Sequence, residues 1–115
     1  MNLSEFYTSV GGDYSEAVGR IPSDQLLQSF LLKFEDDPTC KMLYNALESG
    51  DLSAAFRAAH ALKGVAGNLG LGRLARAASA LTEELRGAAV PPQEETVEAV
   101  RAAYHEVQSA LRLLR

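Results

Sequence analysis

The hydrophobic residues of this chain recur at spacings of three and four, and no segment alternates in the manner of a strand. This spacing is typical of amphipathic helices that bury one face. We predict a short first helix from Leu3 that stops at Gly11-Gly12, and a second short helix capped by Asp13. Longer helices with short links follow. The pattern therefore predicts an all-α fold, an antiparallel four-helix bundle with short additional N-terminal helices, as one domain over residues 1–115.

Local signals mark the ends of the longer helices. Asp37 can cap a helix with Pro38 at its first position, and a glycine C-cap at Gly50 ends it. Ser23 is expected to cap the preceding helix, whose buried face is predicted to comprise Leu26, Leu27, Phe30, Leu31 and Phe34. The other residues expected to point inward are Cys40, Leu43 and Leu47, then Leu71, Leu74, Ala78, Leu81 and Leu85, and finally Val97, Val100, Tyr104, Val107, Leu111 and Leu114.

A central helix, predicted from Asp51 to about residue 69, carries the most unusual pattern. Its buried stripe is expected to comprise Leu52, Ala55, Ala59, Leu62, Ala66 and Leu69. His60 lies on the flank of that stripe, with glycines at positions 64 and 67. Each glycine inside a helix costs about 1 kcal/mol relative to alanine. We interpret the two glycines as lowering the stability of the helix while giving access to the histidine.

The link after this helix predicts which residues face one another. If the chain reverses near Gly70 and Leu71, His60 lies level with Thr82, and Phe56 with Arg86. From there the Thr82 hydroxyl could hydrogen-bond the imidazole and fix its tautomer, and the Arg86 guanidinium could reach an anion.

Charge and composition exclude several classes of protein. The net charge of −4 argues against general nucleic-acid binding, but residues 51–86 hold five basic against three acidic residues. This +2 segment inside an acidic chain favours an anionic ligand or an acidic partner surface. The single Cys40 allows no internal disulfide or thiolate metal cluster, and the histidines and carboxylates show no metal-site pattern. The chain has no 18-residue apolar run and no signal-peptide pattern, so we expect a cytoplasmic protein without membrane spans. The initiating methionine and the length favour a free-standing chain.

The segment Ala59-His60-Ala61-Leu62-Lys63-Gly64, followed by Gly67-Asn68-Leu69-Gly70, resembles the histidine-containing phosphotransfer (HPt) domain. The family signature has the form His-x-Leu-Lys-Gly with a Leu-Gly or Ile-Gly a few residues later. The resemblance implies a phosphorelay protein. By position, His60 would accept a phosphoryl group from a receiver-domain aspartate or a histidine kinase and pass it to a receiver aspartate. Lys63 would offset the phosphoryl charge, and Gly64 and Gly67 would clear space for the receiver.

The implied partners are response-regulator receiver domains and a histidine or hybrid kinase, with no nucleic acid and no membrane. The chain would need no cofactor of its own, because Mg²⁺ is expected on the receiver, and it would act as a monomer. Arg57 belongs to the basic surface expected to steer docking. The sequence departs from the family at Thr82, where Glu or Gln is common, and at Val65, where a small polar residue is common. Glu83 is the alternative for orienting the imidazole.

Two other classes of function stay open. An enzyme could use His60 as a general base, but no carboxylate lies at helical spacing from it, and the chain has neither a glycine-rich nucleotide loop nor an HExxH motif. We therefore expect a phosphocarrier without kinase machinery. The alternative is a helical adaptor that docks receiver domains without carrying phosphate.

Overall fold

The computed structural model describes residues 1–114, which are helical for most of their length and contain no strand. Seven helices follow one another: α1 (Leu3–Ser9), α2 (Tyr14–Arg20), α3 (Asp24–Phe34), α4 (Thr39–Ser49), α5 (Leu52–Asn68), α6 (Gly72–Leu85) and α7 (Glu94–Leu114). The prediction of an all-α fold is confirmed.

Most of the predicted helix ends are found. The side chains of Asp13, Ser23 and Asp51 each accept a hydrogen bond from a backbone N–H in the first turn of the helix that follows. Gly50 ends α4 in the left-handed conformation, at φ +76°. The start of α4 differs by one residue, because Pro38 is its N-cap and Asp37 accepts a hydrogen bond from the Thr39 N–H at 2.8 Å.

The core joins all the helices. α5 packs between α4 and α6, α6 packs against α7, and α1 packs against α7 and α2. Every helix contributes buried residues to one hydrophobic cluster. In α5 the predicted stripe from Ala55 to Leu69 is buried, with Ala58 added to it. Four residues expected inside are only partly buried, namely Leu47, Leu52, Val97 and Tyr104.

The predicted buried face of α3 is too wide. Leu27, Leu31 and Phe34 are buried as expected, but Leu26 and Phe30 are each 38% exposed. Leu26 and Phe30 form a separate ridge at i and i+4, rotated about 100° from the buried one. This second ridge is left partly open to solvent, and the Lys33 ammonium lies over the Phe30 ring, 6.0 Å from its centroid.

The N-terminal segment holds the turn between α5 and α6. The Tyr7 hydroxyl donates to the Leu69 carbonyl at 2.6 Å, and the Asp13 N–H donates to the Gly70 carbonyl at 2.9 Å. At Gly12 the backbones come so close that a Cβ would lie 2.5 Å from the Gly70 oxygen. Gly70 itself has φ +70°, which favours glycine. The glycines at positions 12 and 70 are therefore required by this contact.

Candidate functional site

His60 is exposed on the outer side of α5, next to Ala59, which is fully buried. Its position follows from the amphipathic pattern, because the helix buries its alanine and leucine stripe against α4 and α6. A Cβ added at Gly64 or Gly67 would meet no atom within 4 Å apart from its chain neighbours and the nearby backbone of α5. The packing of this chain therefore does not require either glycine, and their effect is to keep the surface low beside the imidazole.

Phe56 contacts both the imidazole of His60 and the guanidinium of Arg86. The rings of Phe56 and His60 lie almost parallel, with an interplanar angle of 10° and their centroids 6.1 Å apart. The Arg86 guanidinium lies over the Phe56 ring, 5.2 Å from its centroid. This contact confirms the predicted pairing of Phe56 with Arg86 across the α5–α6 hairpin. The ring contact of Phe56 with His60 was not predicted from the sequence, although their i, i+4 spacing is a usable signal.

Glu83 lies in the same charged group. Its carboxylate accepts a hydrogen bond from the Arg86 Nε at 2.8 Å, and this bond together with the Arg86 charge lowers the pKa of Glu83. Lys63 and His60 add smaller electrostatic contributions in the same direction. The same ion pair raises the pKa of Arg86. Glu83 is thus within electrostatic range of His60, although its hydrogen bond is made to Arg86.

Thr82 lies inside the protein. The residue is fully buried, and its hydroxyl donates to the Ala78 carbonyl at 2.7 Å, one turn earlier in α6. Within residues 1–114 no hydrogen bond joins Thr82 to His60. The expected contact with the imidazole is therefore not made in this conformation, and an orienting role for Thr82 stays a prediction. The physical reason is the preference of a buried threonine in a helix for the carbonyl one turn before it.

A shallow depression of about 250 Å³ lies beside the imidazole, and the residues that line it are Arg20, His60, Lys63, Gly64, Gly67 and Asn68. The structure thus brings together the predicted histidine, lysine and glycines. Arg57 does not line the depression; it donates a hydrogen bond to the Ser53 hydroxyl at 2.8 Å. Arg20 was missed by sequence reasoning, because it comes from α2, 47 positions away from Gly67. No local periodicity could have shown this contact.

The described part of the chain contains no group of three or more His, Cys, Asp or Glu side chains placed to hold a metal ion. None of its helices is long and apolar enough to cross a membrane.

These features define an all-helical protein that presents one histidine, with a lysine one turn away, over a surface cleared by glycines. The family model described as "Hpt domain" matches residues 25–110, and the chain belongs to this family. Hpt domains are phosphocarrier modules that interact with receiver domains and histidine kinases, so the protein is involved in phosphorelay signalling. Searches of curated proteins and of solved structures found no match.

Proposed function

We propose that His60 is the phosphoacceptor of a phosphorelay, taking a phosphoryl group from a receiver-domain aspartate or a histidine kinase and passing it to a receiver aspartate. The observation that carries this proposal is the exposed imidazole beside a depression that Lys63 also lines. Gly64 and Gly67 line the same depression, and the space where their side chains would stand is open. An incoming active site must bring its aspartate in line with one ring nitrogen. A flat, glycine-lined surface leaves room for that approach.

The chemistry needs a neutral imidazole as nucleophile. Its unprotonated ring nitrogen attacks the phosphorus of the aspartyl phosphate, an N–P bond forms, and the P–O bond to the aspartate breaks. The electron pair of that bond leaves with the aspartate as a carboxylate, while the proton on the other ring nitrogen stays in place. Transfer to the next receiver reverses these steps. Such a reaction depends mainly on positioning and on stabilisation of negative charge.

The remaining residues are assigned supporting roles within this proposal. Lys63 would offset the charge of the phosphoryl group, and Arg57 would steer the acidic receiver surface without touching the phosphate. Glu83 and Arg86 would act on the imidazole through Phe56 and through their charges. Mg²⁺ would arrive with the receiver. We further propose a monomeric, cytoplasmic protein in which residues 1–115 form one domain around the antiparallel bundle α4–α7.

An apolar groove next to the depression is the proposed landing surface for the receiver. It is lined mainly by apolar side chains, including Ile21, Phe30 and Val65, and it shares Arg20 and Asn68 with the depression. A partner that reaches His60 would therefore cover both features at once. Exposed Phe30 supplies apolar area for this contact, and Phe30→Ser should weaken receiver binding, measured by titration calorimetry, without changing the thermal melt by more than a few degrees.

The proposal is tested by incubating the protein with a panel of ³²P-phosphorylated receiver domains and assaying label that is acid-labile and base-stable. Wild type should become labelled, and His60→Gln should not. His105, exposed on α7, is the other histidine of the chain, so His105→Gln is the matched control and should label normally. Label that persists in His60→Gln would refute the assignment. Receiver binding without label, unchanged in His60→Gln, would support the adaptor instead.

A further inference from the structure

Arg20 reaches the His60 depression from outside the region that the family model matches. It is the last residue of α2, and residues 25–110 are the matched range. Its Nη1 donates to the Gly67 carbonyl at 2.6 Å, and its Nη2 pairs with the Glu16 carboxylate at 2.5 Å. The side chain lines the same depression as His60 and Lys63. It therefore adds a second cation to that surface, from a different helix.

The contact of Arg20 with Glu16 is weak enough to exchange. The Glu16 pair is an i, i+4 ion pair whose side chains are 48% and 46% exposed, and such pairs contribute little because water screens them. The Gly67 carbonyl lies in the last turn of α5, where the helix dipole attracts cations, and it also accepts a hydrogen bond from the Gly70 N–H at 3.1 Å. A guanidinium has five N–H donors, so it can keep the carbonyl and still offer donors to an anion.

The other cationic side chains near the site contact other residues. Arg86 pairs with Glu83 and covers the Phe56 ring, and Arg57 bonds Ser53. Neither of them lines the depression. Lys63 and Arg20 are the two cations that do, one on α5 and one on α2.

We infer that Arg20 is a phosphate-sensing side chain: once His60 carries a phosphoryl group, the guanidinium leaves Glu16 and donates to the phosphoryl oxygens while α2 stays docked through Gly67. This inference rests on His60 as the phosphoacceptor. The exchange replaces a screened carboxylate contact with charge-assisted hydrogen bonds to a group that bears more negative charge. A contact made only in the phosphorylated state shifts the equilibrium towards that state. Arg20 therefore raises the share of phosphate that His60 holds against a receiver aspartate.

The first test measures the equilibrium of phosphoryl transfer between the protein and one receiver. Arg20→Gln should lower the ratio of phosphorylated protein to phosphorylated receiver, by roughly twofold to fivefold for a partly exposed charge pair. Glu16→Gln should raise it, because it frees Arg20. In the double variant the gain from Glu16→Gln should largely disappear. Arg20→Lys should restore part of the ratio.

A purely structural Arg20 would behave differently. If it served only to hold α2 on α5, Glu16→Gln and Arg20→Gln would change the ratio in the same direction or leave it unchanged, and either result overturns the inference. Thermal melts of all variants separate loss of docking from loss of phosphate contact. A ratio that falls only in proportion to the loss of folded protein would also overturn it.

The second test needs no receiver and separates this inference from the proposed relay. Phosphoramidate, a small phosphoryl donor, is used to modify His60 in a His105→Gln background, and the Arg20 Nε–H resonance is followed by NMR. The resonance should shift when His60 is phosphorylated and stay in place in His60→Gln treated in the same way. An unmoved Arg20 resonance beside phosphorylated His60 overturns the inference even if receiver transfer succeeds. A shifted resonance supports it even if every receiver fails.

Discussion

Replacing Gly64 should make the protein more stable and a poorer phosphoryl carrier. Gly64 lies inside α5, four residues before its end, and its backbone is an ordinary helical one. A Cβ there meets nothing within 4 Å, so no clash opposes the gain in helix propensity. Gly64→Ala should therefore add about 0.8–1.0 kcal/mol to the free energy of unfolding. For a domain of this size that corresponds to a rise in Tm of about 4 °C.

A side chain at position 64 should lower the rate of phosphoryl transfer. Position 64 is one turn beyond His60 on the same face of the helix, so a side chain there stands beside the imidazole. Gly64→Leu should hold the receiver back by an ångström or more, and a displacement of that size at a reacting centre costs roughly 10²-fold in rate. Gly64→Ala should slow transfer less than Gly64→Leu. Phosphoramidate is small enough to avoid the added side chain, so it should still label His60 in both variants.

Thermal denaturation gives the stability change, and quenched-flow transfer from a ³²P-labelled receiver gives the rate. Ala102→Leu, at an exposed position on α7, is the control for added bulk and should transfer at the wild-type rate. A wild-type rate in Gly64→Leu would refute the reasoning that this glycine clears space for the receiver. A fall in Tm for Gly64→Ala would refute the reading that the packing of the chain does not need it.

Three further predictions concern Phe56, Thr82 and Cys40. Phe56→Leu should lower the transfer rate several-fold, because the imidazole loses the ring against which it stacks. Phe56→Tyr keeps an aromatic ring there and should transfer at the wild-type rate. Thr82→Val should leave labelling of His60 unchanged and cost less than about 1.5 kcal/mol of stability, since the hydroxyl bonds only within its helix. A fall in labelling would instead support Thr82 as the orienting residue. Burial raises the pKa of Cys40 to about 11, so at pH 8 only about a thousandth of this thiol is ionised. Its reaction with a disulfide reagent should be slow in the native protein, rise with pH and become fast in urea.

The sequence predicted the parts of the molecule that depend on local spacing. Helix caps at Asp13, Ser23 and Asp51 depend on a side chain and a backbone N–H a few residues apart, and all three are found. The pairing of Phe56 with Arg86 was predicted from the position of the turn between α5 and α6. A misplacement of that turn by one residue would still have put the two side chains close together.

Burial on a helix flank and contacts between distant segments were harder to predict. Phe30 has the spacing of a core residue, but it lies on the side of α3 that is partly open to solvent. Thr82 was expected to face His60, but it is fully buried and its hydroxyl bonds the Ala78 carbonyl within α6. Arg20 carries no local signal for its contact with Gly67, which depends on how α2 folds back over the end of α5.

The N-terminal segment, residues 1–24, lies outside the matched range and completes the site, because it holds the end of the helix that bears the histidine and the turn after it. A helix leaves its last carbonyls unbonded, and an end of this kind frays unless other donors reach it. Backbone N–H groups of the turn bond the last carbonyls of α5, and the guanidinium of Arg20, the hydroxyl of Tyr7 and the backbone N–H of Asp13 add donors to the carbonyls of residues 67, 69 and 70 in that order. Gly67 forms part of the floor beside the imidazole, so fraying there would remove the surface that a receiver must approach. The N-terminal segment thus holds the end of α5 and the turn after it through three hydrogen bonds, and the Arg20 side chain also lines the depression beside His60.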